Sequence, residues 1–210
     1  MDLLKAIELA KRKNNAGLAA VFTGKNNEYY IATIYSNNYV LSIEVYDKNL
    51  ERAGYILIDS NHGNKLFLSA IYTYDKFRGN GIASKLSSLT DYVLRDYEET
   101  LLRGVYTPTQ LSTDRENNIE RPKHELEARA SAFYTSNGYT ILNHDEYSLN
   151  PDKYPEISED DFWLGEEPSD TIVYKTISKL PKSNYRQIND LIIHKAIFEE
   201  FLEKYPQDQL

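Results

Sequence analysis

Between residues 28 and 74 the apolar positions fall into short runs: EYYIATIYS (28–36), YVLSIEVYD (39–47), AGYILIDS (53–60) and KLFLSAIYTY (65–74). Tyrosine, valine and isoleucine dominate these runs, as they do in strands. Only NN (37–38) and NHGN (61–64) separate some of them, so neighbours are expected to pair as an antiparallel meander. At residue 82 the period changes. Ile82, Leu86, Leu89, Val93 and Tyr97 lie four, three, four and four apart, which predicts a helix over 82–98. LLRGVYTPT (101–109) predicts another strand, and a polar stretch, STDRENNIERPK (112–123), leads into a helix over 124–136 that NG (137–138) should stop. YTILN (139–143) and TIVYKTI (171–177) predict a closing strand pair joined by a long connection. Amphipathic helices are expected at both ends, in MDLLKAIELAKRKNN and, after Pro181, in RQINDLIIHKAIFEEFLEKY (186–205).

This order predicts a mixed α/β (α+β) domain: a mostly antiparallel central sheet flanked by helices, with a parallel strand pair where the helix of 82–98 crosses over. The domain is expected to span 1–180, with 181–210 a helical extension. Ile188, Leu191, Ile192, Phe198, Phe201 and Leu202 give that extension an apolar face, to be covered by its own domain or by a second copy of the chain in a homodimer.

Composition narrows the chemistry. The 210 residues contain no cysteine, which excludes thiolate metal sites, disulfides and a cysteine nucleophile and fits a reducing compartment. No apolar run approaches the roughly 20 residues that span a bilayer. Asp2 and Glu8 interrupt the first apolar stretch, which reads as a helix and not as a signal peptide. The expected location is the cytoplasm, with no membrane partner. A formal charge of −8 argues against a nucleic acid partner. Residues 142–170 hold ten carboxylates and one lysine, so this segment carries −9 while the remainder is near neutral. It is either a solvated loop or a negative rim that draws in a cation, with Tyr147, Tyr154, Phe162 and Trp163 able to cover an ammonium group. The four histidines (62, 124, 144, 194) lack ligand spacing, and no metal is expected.

KFRGNGIAS (76–84) stands at the strand-to-helix junction. Two of the chain's nine glycines, Gly79 and Gly81, let the backbone approach a bulky group just where the first helical N–H groups lack partners, an arrangement suited to an anion. A Walker loop is ruled out because no Lys-Ser/Thr pair follows the last glycine, and G-x-G-x-x-G fails at Ser84. A plain tight turn is the bland alternative. Arg78, Gly81 and Ala83 fill the pattern Arg-x-x-Gly-x-Ala, and here the sequence resembles the GNAT superfamily of acetyl-CoA-dependent N-acetyltransferases. A second element, ASAFYTSNGYTIL (130–142), resembles the family's later motif at Ala130, Tyr134, Gly138 and Tyr139. The resemblance covers about residues 53–177.

It implies that Arg78, Gly79, Asn80, Gly81, Ile82, Ala83 and Ser84 hold the pyrophosphate of acetyl-CoA, that the parallel strand pair is splayed, and that in its gap the backbone of Ile71, Tyr72 and Thr73 pairs with the pantetheine arm. It also implies that Tyr134 is the general acid toward the departing sulfur, with packing as the alternative. Phe67 stands where some members carry a strand glutamate, which leaves water or another carboxylate as the base, and Glu127 stands where many relatives carry asparagine. For the base, Glu44 is a candidate because it lies within an apolar strand, and Asp59 is another; an outward-facing Glu44 is the alternative. No G-x-S-x-G elbow points to a hydrolase. Two functions follow: an N-acetyltransferase acting on an amine, expected to be cationic, or a non-catalytic acyl-CoA-binding or interaction module.

Overall fold

The computed structural model describes residues 18–36, 40–62, 65–94, 100–106, 122–164 and 167–177. The two expected terminal helices, the strand beyond residue 106, the polar stretch up to 121 and the 180/181 boundary lie outside the described residues. The architecture has the expected mixed α/β character: an eight-stranded, mostly antiparallel sheet with one parallel pair, accompanied by helices. Its contacts divide into two compact units. One takes in the described residues up to Asp59 and from Ala70 to Leu94; the other takes in Ser60–Ser69 and those from Thr100 to Ile177.

In the first unit, β1 (Leu18–Thr23), β2 (Tyr29–Ser36), β3 (Val40–Tyr46) and β4 (Arg52–His62) follow one another as an antiparallel meander, and β5 (Lys65–Thr73) comes next. The sequence reading names no strand at Leu18–Thr23; pairing of Leu18–Thr23 with Ile34–Tyr29 adds one. Alternation along β3 buries Leu41, Ile43 and Val45 and leaves Ser42, Glu44 and Tyr46 half-buried on the opposite face. Helix α1 (Ile82–Leu94) packs on the buried side through Ile82, Leu86 and Leu89, three members of the expected stripe. Gly54 makes this contact close. A Cβ there would lie 2.6 Å from the Tyr72 carbonyl oxygen and 3.0 Å from Cγ2 of Ile82.

In the second unit, β5 pairs in parallel with β6 (Thr100–Val105) at Leu66–Leu102 and Phe67–Arg103, as a crossover through α1 requires. β10 (Thr171–Ile177) lies antiparallel between β6 and β7 (Thr140–Asn143). α2 (Lys123–Ser136) ends at the expected Asn137-Gly138 stop, where Gly138 takes φ 80°.

The acidic segment departs from the expected open connection. It folds into α3 (His144–Leu149), two 3₁₀ turns (Pro151–Lys153 and Glu159–Phe162) and a hairpin of β8 (Trp163–Leu164) with β9 (Glu167–Pro168). Tyr147, Tyr154, Ile157 and Phe162 are buried against Leu101, Leu142, Ile172 and Tyr174, so the segment covers one face of β6, β10 and β7. Asp161 is correspondingly not a surface charge. It is buried between Lys65 and Arg103 and closes a capping box with Ser158. The carboxylates outnumber the hydrophobic anchors, which is why the sequence reads as a loop.

Candidate functional site

β5 ends at Thr73, a single 3₁₀ turn (Asp75–Phe77) follows, and Arg78 to Gly81 lead into α1. Gly79 and Gly81 take φ 82° and 79°, the left-handed region that L side chains rarely adopt. Among the described residues nothing lies within 4 Å of where a Gly79 Cβ would stand, and a Gly81 Cβ would meet the Lys25 side chain, at 3.6 Å or more. α1 begins directly, with Lys85 N–H donating to the Gly81 carbonyl at 3.1 Å. Its first turn, holding Ile82, Ala83 and Ser84, carries no acidic side chain, so the positive end of the helix dipole is unopposed there. An anion fits this backbone: there is open space at the glycines and no carboxylate in the first turn.

The turn is braced from the sequence-distant β1–β2 connection. Lys25 N–H donates to the Asn80 carbonyl at 3.1 Å, and the Asn80 and Asn26 amides both donate to the Tyr30 hydroxyl, at 3.3 and 3.0 Å. Sequence reasoning missed Lys25 and Tyr30; the polar GKNNE turn between two apolar runs is the only trace of them. Arg78 is held in place: its Nη2 lies 2.7 Å from Asp75 Oδ1, and Nε donates to the Thr73 carbonyl at 3.3 Å. The guanidinium therefore ties the end of β5 to the turn while remaining part-exposed. Ile71, Tyr72 and Thr73 are half-buried, and the Thr73 hydroxyl is buried without a hydrogen-bond partner among the described residues.

Tyr134 belongs to the other unit. Its side chain is 7% exposed and ringed by Tyr106, Phe133 and Tyr139 at 5.9, 5.2 and 5.4 Å between ring centres. Burial, followed by the neighbouring Tyr106, pushes its hydroxyl up to about 12, so it keeps its proton at neutral pH. Tyr106 donates its own hydroxyl to the Glu127 carbonyl at 2.8 Å, and the Glu127 side chain faces Lys123 at 3.5 Å. Lys175 Nζ lies 4.3 Å above the Tyr139 ring.

Solved acetyltransferases are among the structures this fold resembles. An acetyltransferase of the GNAT family from Staphylococcus aureus is 11% identical over 66% of this chain and 68% of that one, with a TM-score of 0.42. Tetrahymena GCN5 is 8% identical over 69% and 72%, also at 0.42. A streptothricin acetyltransferase from Bacillus anthracis, solved with acetyl coenzyme A, is 13% identical over 75% and 83%, at 0.38. No family model and no curated protein matches the chain.

Glu44 stands on the face of the first unit's sheet away from α1. Its Oε1 lies 2.5 Å from Nη2 of Arg52, and its Oε2 accepts from the Tyr46 hydroxyl. Burial and this carboxylate push the Tyr46 hydroxyl up to about 12. With both oxygens engaged, Glu44 is poorly placed to take a proton from a substrate. Asp59 pairs across β3 with Val40, on the same face as Glu44. Phe67 pairs with Arg103 in the parallel ladder.

His144 Nε2 lies 2.6 Å from Glu159 Oε1, and His194 lies outside the described residues. Among the described residues no group of three or more histidines and carboxylates is arranged to hold a metal ion. Nor is any described helix long and apolar enough to cross a membrane.

Proposed function

We propose that this chain is an acetyl-CoA-dependent N-acetyltransferase. The observation that carries the reading is the paired left-handed glycines, Gly79 and Gly81, between β5 and a 13-residue helix with no acidic first-turn residue. Backbone N–H groups from Arg78 to Ser84 would take the pyrophosphate, and the part-exposed Arg78 would add a charge-assisted contact. The backbone of Ile71, Tyr72 and Thr73 would align the thioester arm as an added strand, with the Thr73 hydroxyl available to it. When bound, the coenzyme supplies an activated acetyl group. Tyr134, protonated across the physiological range, would return a proton to the departing sulfur.

The acceptor in this reading is an amine, and a cationic one. The surplus of carboxylates in residues 142–170 would favour its approach through the long-range field, screened over about 8 Å at physiological salt. One observation favours the non-catalytic module instead: Glu44, the candidate base, is occupied by Arg52 and Tyr46.

Acetyl-CoA should raise the melting temperature, because a ligand bound only by the native state stabilises it. Gly81→Trp, checked for native far-UV circular dichroism, should abolish the shift. An undiminished shift would remove the site from residues 78–84. Release of free thiol from acetyl-CoA with a panel of amines then separates the transferase from the binding module.

A further inference from the structure

The sheet face away from α1 carries a group of side chains that the coenzyme site does not use. Cross-strand register sets Thr33, Glu44 and Tyr55 in one row over β2, β3 and β4. Arg52 lies with its guanidinium carbon 4.4 Å above the Tyr55 ring while Nη2 reaches Glu44 at 2.5 Å. Tyr46 donates to the other Glu44 oxygen. The row continues from Tyr55 to Tyr72, with ring centres 5.8 Å apart, and on to Tyr74 at 5.1 Å, edge-on. A carboxylate beside aromatic faces is the environment in which proteins hold organic cations. Here the cation is the chain's own.

Arg52 fills this place incompletely. Its Nε is buried without a hydrogen-bond partner among the described residues, and its side chain is 38% exposed, against 32% for Glu44. A part-exposed ion pair of this kind holds weakly against water and salt. The long arginine stem starts at the first residue of β4, beside the Asp47–Glu51 turn, and can swing outward without disturbing the ladder. The row also reaches Tyr72, whose backbone lies in the segment assigned above to the thioester arm.

We infer that Glu44 and Tyr55 form a cation subsite that Arg52 occupies in the free protein and that a positively charged group of the acceptor takes over on binding. The inference rests on the transferase reading for the word acceptor and names its class: a molecule with a second ammonium or guanidinium besides the amine that reacts. Glu44 in this role is a binding residue and not the base. Arg52 acts as a built-in competitor, weakening small monovalent amines and yielding to a multivalent one.

The test is equilibrium calorimetry with 1,4-diaminobutane, without acetyl-CoA, at fixed ionic strength. Arg52→Met should tighten binding by about fivefold, the scale of a surface ion pair that no longer has to be displaced. Glu44→Gln should weaken it about tenfold or more, and the gain from Arg52→Met should vanish in the double variant. Unchanged or weaker binding by Arg52→Met, or no binding by either it or the wild type, overturns the inference. Should Arg52→Met not fold, Tyr55→Leu decides: binding should fall several-fold, and unchanged binding overturns the subsite. A chain that binds the diamine in this way but gains no stability from acetyl-CoA loses the transferase reading and keeps the subsite. The converse result loses the subsite alone.

Discussion

Lys65 Nζ lies 2.5 Å from Oδ2 of Asp161, a residue 96 positions later whose side chain is 1% exposed. The other oxygen of the same carboxylate lies 3.0 Å from Arg103 Nη1. Removing this charge would leave Arg103 buried beside Lys65 with no counter-ion from the segment, and breaking such a pair costs about 3–5 kcal/mol. Asp161→Asn should therefore lower the urea midpoint markedly. Emission from Trp163, the single tryptophan and two residues away, should report the loosening. A midpoint within error of wild type would show that the ion group is dispensable.

Tyr134→Phe keeps the ring among Tyr106, Phe133 and Tyr139 and removes only the hydroxyl. If the hydroxyl serves as general acid, turnover should fall by roughly 10²-fold while stability changes little. Equal turnover in the two proteins would leave Tyr134 as a packing residue.

The raised hydroxyls of Tyr46, Tyr134 and Tyr174, each at about 12, make a statement about alkaline stability. The unfolded tyrosines ionise near 10, whereas the folded ones keep their protons to about 12. Between these values the unfolded state binds fewer protons, so stability is intact below pH 10 and is lost as pH rises toward 12. Denaturant titrations at pH 9, 10.5 and 11.5, values chosen about the tyrosine range, should show a falling midpoint. Tyr134→Phe should soften the fall.

Gly54→Ala places a Cβ 2.6 Å from a backbone carbonyl that cannot rotate away, so β5 must shift. A cost of about 1–3 kcal/mol is expected, the range for overpacking. Thermal denaturation of the variant checks it; an unaltered melting temperature would mean that the strand gives way freely.

Much of this was legible in the sequence because period and punctuation agreed. The run over 171–177 became β10 with the same bounds, the stripe from Ile82 marked the buried face of α1, and Asn137-Gly138 ended α2. The paired glycines stood out for a related reason, since a left-handed backbone leaves its mark in residue type. Position 161 left no such mark. An aspartate held by partners 96 and 58 residues away reads like any other carboxylate, and so the folded segment reads as a loop or a rim. Arg52 escaped similarly: Glu44 reads from the sequence as a candidate base or an outward-facing residue, but the bulge between Val45 and Tyr46, which pairs Tyr46 with Arg52, has no signature in composition.

The position of β10 between β6 and β7 has a consequence for synthesis on the ribosome. The meander of β1 to β4 pairs in chain order and can close as it emerges. β6 and β7 cannot be joined until residues 171–177 have left the exit tunnel. Until then each offers a bare edge, flanked by Leu101, Leu102 and Leu142, to any other nascent strand nearby. The acidic segment made just before β10 is thus on hand during that wait, and its surplus of like charge would repel neighbouring nascent chains while the last strand is still being translated.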